Sequence, residues 1–141
     1  MIEKYSTALW TGTLKEGSGK VSSQSRVLTD TPYTFATRFE NGKGCNPEEL
    51  VAAAHSSCYA MFLSALMSGA GIVPETVEAR STVKLDATTE GGPTVKAAHL
   101  DVKVKAPAEA DAIRDFAEKA KAGCPISKLL KAEITLALTV L

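Results

Sequence analysis

Net charge is the first thing this sequence lacks: 16 lysines and arginines balance 16 aspartates and glutamates. No clustered basic surface is available to neutralise phosphates, which counts nucleic acid out as a partner. Cysteine is sparse and irregularly placed. Cys45, Cys58 and Cys124 match neither a disulfide framework nor the close pairs of a zinc site, and no motif asks for a metal or organic cofactor. The start, Met1-Ile2-Glu3-Lys4-Tyr5-Ser6, has neither the basic segment and apolar run of a signal peptide nor a lipidation site. The longest apolar stretch, Leu50 to Met67, is interrupted by His55-Ser56-Ser57 and suits the buried helix of a soluble protein better than a membrane span. A cytoplasmic protein without membrane attachment is expected, in a compartment where thiols stay reduced and serve packing or chemistry. Linkers, internal repeats and low-complexity tracts are missing as well. A chain of 141 residues, 45% apolar, is expected to fold as one domain, 1–141, around a single core.

What is present is a mixture of alternating and helical patterns. Tyr5 to Trp10 alternates as a strand, Lys15 to Gly19 forms a turn, and Lys20 to Ser23 returns as its hairpin partner. Tyr33 to Phe39 reads as another short strand, followed by the loop Asn41-Gly42-Lys43-Gly44. Asn46-Pro47-Glu48-Glu49 is a strong helix start, with Asn46 as N-cap, Pro47 at N1 and Glu49 at N3. That helix should run to Met67 or Ser68 and end at Gly69-Ala70-Gly71. Being apolar nearly all round, it is expected to be central and buried. Val77 to Leu85 and Val95 to Val104 predict a long hairpin around Glu90-Gly91-Gly92-Pro93. Glu109 to Ala122 predicts an amphipathic helix ended by Gly123, Cys124-Pro125 starts a short helix, and Ile134 to Val140 alternates as a last strand. The order points to an α+β fold.

Cys58 and Cys124 are the residues with chemical promise. Brought together by the fold they form a redox pair; kept apart they are small core residues. A free thiol with a pKa near 8.5 is only about 3% thiolate at pH 7, and the thiolate is the nucleophile. Cys124, followed by Pro125, sits at a helix start, where unpaired N–H groups favour an anion. Cys58 lies mid-helix and needs an external cation. His55 is a helical neighbour three residues back, although a hydrogen-bonded core histidine is the commoner setting. Arg38 is the better candidate because its charge survives burial. Glu48 lies roughly 15 Å from Cys58 along one helix and about 80° away around it. The two cannot meet within a helix, but antiparallel helices about a twofold axis would bring Glu48 of one chain toward Cys58 of another. Otherwise Glu48 simply serves the helix dipole.

The runs Thr37-Arg38-Phe39-Glu40, Asn46-Pro47-Glu48-Glu49-Leu50, Ala53-Ala54-His55-Ser56-Ser57-Cys58-Tyr59 and Ala120-Lys121-Ala122-Gly123-Cys124-Pro125-Ile126-Ser127 resemble the osmotically inducible protein C (OsmC) family, related to the organic hydroperoxide resistance proteins. The resemblance spans essentially the whole chain. It implies long central helices wrapped by antiparallel sheets in an intertwined homodimer. It further implies a cysteine-based peroxidase in oxidative or osmotic stress defence, acting on organic hydroperoxides and hydrogen peroxide. On the resemblance Cys58 matches the peroxidatic cysteine and Cys124 the resolving cysteine, joined by an intramolecular disulfide, with Arg38 and Glu48 as the charged pair orienting the thiolate. Tyr33-Thr34-Phe35-Ala36-Thr37-Arg38 favours the OsmC branch. Cys45 stands where threonine is expected and is read as dispensable. The implied reductant is an external thiol, whether a dihydrolipoyl protein, thioredoxin or a small thiol. Two other classes share these residues: a Cys58–His55 hydrolase or acyltransferase, and a non-enzymatic stress or ligand-binding dimer with inert thiols.

Overall fold

Alternation and turn chemistry build the first three strands in the computed structural model, which describes residues 1–141. Strands β1 (Ser6–Thr11), β2 (Ser18–Ser23) and β3 (Thr31–Tyr33) form an antiparallel sheet in that order. Gly19 belongs to β2 rather than to the preceding turn. A side chain there would collide with the rings of Tyr33 and Trp10, whose centroids lie 5.5 Å apart across it.

The segment expected to continue as a strand to Phe39 turns into helix instead. Strand β3 stops at Tyr33, and α1 covers Phe35–Phe39. The cause is a capping box. Thr34 Oγ1 accepts the Thr37 N–H at 3.3 Å, and Thr37 Oγ1 accepts the Thr34 N–H at 2.9 Å. Two otherwise unpaired donors are thereby satisfied at a helix start. Arg38 therefore sits in the last turn of a helix, not at a strand end.

Helix α2 (Pro47–Gly69) begins where the sequence places it. Asn46 Oδ1 accepts the Glu49 N–H at 2.8 Å, and Asn46 Nδ2 donates to the Glu49 carboxylate at 3.4 Å. It ends in a left-handed turn at Gly71 (φ +80°). There the Ile72 N–H reaches the Met67 carbonyl and the Gly71 N–H the Ser68 carbonyl, a C-cap that a Cβ would strain. With 23 residues, α2 is long and apolar enough to cross a membrane by length and composition. Its fully buried stripe is His55, Tyr59, Leu63 and Met67, of which Tyr59, Leu63 and Met67 belong to the hydrophobic core. Burial is narrower than expected, however: Ala53, Ala54, Ser57, Met61 and Ala65 are exposed.

Strands β4 (Thr76–Asp86) and β5 (Thr94–Lys105) form the long antiparallel hairpin. Helices α3 (Ala110–Gly123) and α4 (Pro125–Leu129) then lead to β6 (Glu133–Val140). The sheets are antiparallel with one exception: β6 pairs parallel to β5. Parallel neighbours need a crossover connection, and α3 with α4 supplies it. The core beneath this sheet gathers Tyr59, Leu63 and Met67 of α2, Leu100, Val102 and Val104 of β5, and Ile113, Ala117 and Ala120 of α3. Full burial of each large side chain stabilises by about 1.5–3 kcal/mol. Internal contacts divide the chain into two compact units, Met1–Leu50 and Val51–Leu141. The observed architecture is the α+β class that the sequence predicts.

Candidate active site

Two pairs of the four residues singled out by sequence are brought together, each pair within one compact unit. The first joins Arg38 and Glu48. Arg38 Nη2 lies 2.8 Å from Glu48 Oε1, and Arg38 Nε lies 3.2 Å from both carboxylate oxygens. A guanidinium fork engaged at two nitrogens is held in orientation as well as in charge. Its side chain is 36% exposed and that of Glu48 is 15% exposed, and the guanidinium carbon lies 5.0 Å from the Phe39 ring centroid. Gly42 lets the chain turn back over α1: a Cβ there would come within 2.7 Å of Ala36 backbone. Arg38 opens onto a cleft of about 420 Å³ lined by Trp10, Leu14, Tyr33, Phe35 and Phe39.

The second pair joins Cys58 and Cys124. Their sulfurs are 3.0 Å apart, although 66 residues separate them in sequence, and both thiols are free. Cys124 is fully buried at the junction of two helices, closing α3 and opening α4. Its N–H donates to the Ala120 carbonyl at 2.9 Å, and its carbonyl accepts the Lys128 N–H at 3.0 Å. Gly123 makes room for the neighbouring Phe62 ring, which a Cβ would approach to 2.9 Å. Beside Cys58 lies an apolar cleft of about 170 Å³ lined by Met61, Phe62, Ala65 and Pro125. Met61 and Phe62 thus line a pocket at the thiol, whereas Phe39 belongs to the Arg38 cleft.

The electrostatics of Cys58 differ from the sequence expectation. Burial pushes its thiol up from the ordinary value and the adjoining Cys124 sulfur pushes it further, while the Ile126 backbone N–H works in the opposite direction. Nor does α4 extend far enough to give Cys124 a long helix dipole, being only five residues. Cys45 is also raised, by burial and then by the Glu49 carboxylate. It lines a separate cavity of about 220 Å³ with Ala8, Val21, Tyr33, Pro47 and Leu50.

His55 takes the core role rather than that of a base. It is completely buried, with Nδ1 2.9 Å from Ser81 Oγ and Nε2 3.0 Å from Ser127 Oγ. In the neutral ring one nitrogen donates to a serine while the other accepts from one. Both nitrogens are occupied, which leaves no lone pair to activate a nucleophile and removes the support for a Cys58–His55 hydrolase. Tyr59, next to Cys58, donates its hydroxyl to the Ala117 carbonyl at 3.1 Å. Sequence reasoning missed Ser81 on β4 and the roles of Ile126 and Ser127 on α4, because these elements meet α2 only in three dimensions. The one available signal was Ser127 three residues after Cys124.

Burial lowers the pKa of His55, so the folded protein resists a proton that the unfolded chain accepts near pH 6.5. Its contribution to stability is complete above about pH 6.5 and declines as pH falls toward the lowered folded value. Urea midpoints should therefore drop between pH 7.5 and pH 5. His55→Leu should flatten that dependence; an unchanged slope in the variant would assign the acid sensitivity to other groups.

Residues 40–139 match the family model described as OsmC-like protein. The chain is 46% identical over 136 residues to "Peroxiredoxin OsmC" of Escherichia coli (strain K12), an alignment spanning 96% of this chain and 94% of that protein. Among solved structures, it resembles an organic hydroperoxide resistance protein from Elizabethkingia anophelis with thiocyanate bound. That match has a TM-score of 0.76 at 26% identity, over 99% of this chain and 96% of that one. The organic hydroperoxide resistance protein OhrB of Bacillus subtilis has the same fold, with a TM-score of 0.74 at 22% identity over 96% and 98% of the two chains. The matched family model and the near-full-length relative agree with the two cysteine motifs: this chain belongs to the OsmC-like protein family.

Proposed function

We propose that this chain is a cysteine-based peroxidase that reduces hydroperoxides through a Cys58–Cys124 disulfide. The observation that carries the reading is the 3.0 Å separation of the two free sulfurs. Closing to a bond of about 2.05 Å requires a movement of only about 1 Å. In the first step the Cys58 thiolate attacks the terminal peroxide oxygen. The O–O bond breaks, a sulfenic acid forms on Cys58, and the displaced alkoxide takes a proton to leave as an alcohol, or as water when the substrate is hydrogen peroxide. In the second step the Cys124 sulfur displaces the sulfenic hydroxyl, which leaves as water, and the disulfide forms before further oxidation. An external thiol then reduces the disulfide, and a dihydrolipoyl protein, thioredoxin or a small thiol fits that role.

Arg38 has the charge needed to stabilise the thiolate and the developing negative charge on the peroxide, and Glu48 holds it in orientation. The apolar lining beside Cys58 favours alkyl and aryl hydroperoxides over hydrogen peroxide. A homodimer is part of this reading. The exposed stripe of Ala53, Ser57, Met61 and Ala65 offers a ridge of mostly small side chains at four-residue spacing, suited to close packing against a second α2. The Ser57 hydroxyl is already satisfied by the Ala53 carbonyl at 2.7 Å, so covering it leaves no orphaned donor. A cytoplasmic setting, where external thiols are plentiful, accords with a cycle that begins from free thiols.

Stopped-flow mixing of the reduced protein with cumene hydroperoxide or hydrogen peroxide, followed by disulfide mapping, tests the reading. Rapid loss of two thiols per chain, a Cys58–Cys124 disulfide, an intact Cys45 and a faster reaction with cumene hydroperoxide are expected. Hydroperoxide that leaves both thiols free would exclude the peroxidase, and slow alkylation of Cys58 with no disulfide would establish the inert dimer.

A further inference from the structure

Closing the disulfide requires Cys124 to face Cys58 at the moment the sulfenic acid forms, yet Cys124 stands at the mouth of a helix of a single turn. Helix α4 spans five residues, and Leu129 on its far side is 74% exposed. Such a turn has little hydrogen bonding of its own to fix it against α2. Polar ties do so. Ser127, 6% exposed, meets His55 Nε2 at 3.0 Å, the one hydrogen bond to another element made by a side chain within Pro125–Leu129.

The position of that tie is informative. Ser127 follows Cys124 by three residues, within the turn closed by the Lys128 N–H and the Cys124 carbonyl. The same turn directs the Ile126 N–H at the Cys58 sulfur. At its other end the tie is anchored in α2 itself, since His55 precedes Cys58 by three residues and is pinned to β4 through Ser81 at 2.9 Å. The helix that carries the attacking thiol thus also grips the turn that carries the resolving thiol. A buried imidazole between two hydroxyls is an expensive way to pack a core, because all three groups must be desolvated and satisfied together.

We infer that His55 and Ser127 are positioning residues for the second half-reaction, holding the α4 turn so that Cys124 meets the Cys58 sulfenic acid. The inference deepens the peroxidase reading and rests on it. Neither side chain handles the peroxide; they act through Cys124, so their removal separates the two chemical steps.

The experiment uses the full chain, with oxidation by cumene hydroperoxide and disulfide closure followed as separate stopped-flow phases. In Ser127→Ala, closure should slow about tenfold while oxidation of Cys58 changes by no more than about threefold, as a misplacement of a fraction of an ångström would produce. Sulfinic acid on Cys58, read by mass spectrometry, should appear at about tenfold lower hydroperoxide concentration. Ser127→Ala also leaves a buried nitrogen without a partner, so the triple variant His55→Leu/Ser81→Ala/Ser127→Ala separates positioning from stability. Replacing all three polar partners by apolar groups leaves none of them unpaired, and the urea midpoint should recover while closure stays slow. Wild-type closure in the single variant, or its return to wild-type rate in the triple, would overturn the inference. Absence of any Cys58–Cys124 disulfide in the wild-type protein would instead overturn the peroxidase reading on which it stands.

Discussion

Cys58→Ser is expected to reduce hydroperoxide turnover to the uncatalysed background, while Cys124→Ser consumes about one equivalent of hydroperoxide per chain and then stops. The asymmetry follows from the proposed division of labour. A serine hydroxyl forms no significant anion near neutral pH and carries no polarisable sulfur, so the first step is lost. Without the Cys124 thiol the first step survives, but the sulfenic acid has no partner at 3.0 Å and either waits for an external thiol or oxidises further. Dimedone labelling of Cys58 in Cys124→Ser, and none in Cys58→Ser, is the accompanying readout. Steady turnover by both variants at the wild-type rate would remove the thiols from the mechanism.

The second large effect is expected at Arg38. Nothing near Cys58 that the structure identifies as lowering its pKa is stronger than one backbone N–H from Ile126, while burial and Cys124 push it up. On the proposed mechanism Arg38 supplies the missing positive charge. Arg38→Met should slow oxidation of Cys58 at pH 7 by about 10² to 10³, the usual scale for losing a preorganised group at a developing negative charge. Part of that rate should return at alkaline pH, where the thiolate forms without help. Glu48→Gln should have a smaller effect, because the guanidinium charge remains and only its clamp is weakened. If one protomer's Arg38 serves the other's Cys58, mixing Arg38→Met with Cys58→Ser subunits restores about a quarter of wild-type activity at statistical exchange. An Arg38→Met protein that reacts at the wild-type rate would leave activation of Cys58 to groups other than Arg38.

The parts of the fold that announced themselves in sequence are those set by local chemistry. Helix α2 was legible from Asn46-Pro47-Glu48-Glu49 at one end and Gly71 at the other, and both caps form as expected. The β4–β5 hairpin followed from alternation on either side of Gly91-Gly92. Helix α1 was not legible by periodicity, since five residues complete little more than one turn; the Thr34–Thr37 cap was the signal that decided it. The parallel register of β6 on β5 is a property of the connection between them, not of either strand's composition. Apolar composition also overstated how much of α2 is covered within the chain, because it records what is suited to burial without saying against what.

The same distinction runs through the candidate site. Arg38 in the last turn of α1 and Glu48 in the first turn of α2 pair at 2.8 Å across the loop between them, a pairing that the family resemblance implied and that charge and helix caps alone left open. The meeting of Cys58 and Cys124 was not legible from residue patterns either, because no periodicity relates positions 66 residues apart; residue chemistry alone left them as either a redox pair or core packing, and the family resemblance tipped the choice. His55 shows the reverse: its burial in a hydrogen-bonded core was the commoner reading from sequence, but its partners on β4 and α4 emerge only in three dimensions.

The crossover between β5 and β6 has a bearing on how such a cycle is mechanically accommodated. Cys124 travels with the connecting helices, while the ladders of β4, β5 and β6 contain no cysteine. The sheet therefore acts as a stator. Opening and closing the sulfur pair asks only for a small rocking of the connection above it, so no interstrand hydrogen bond has to break, and slow amide exchange in the three strands should look the same in the dithiol and disulfide forms.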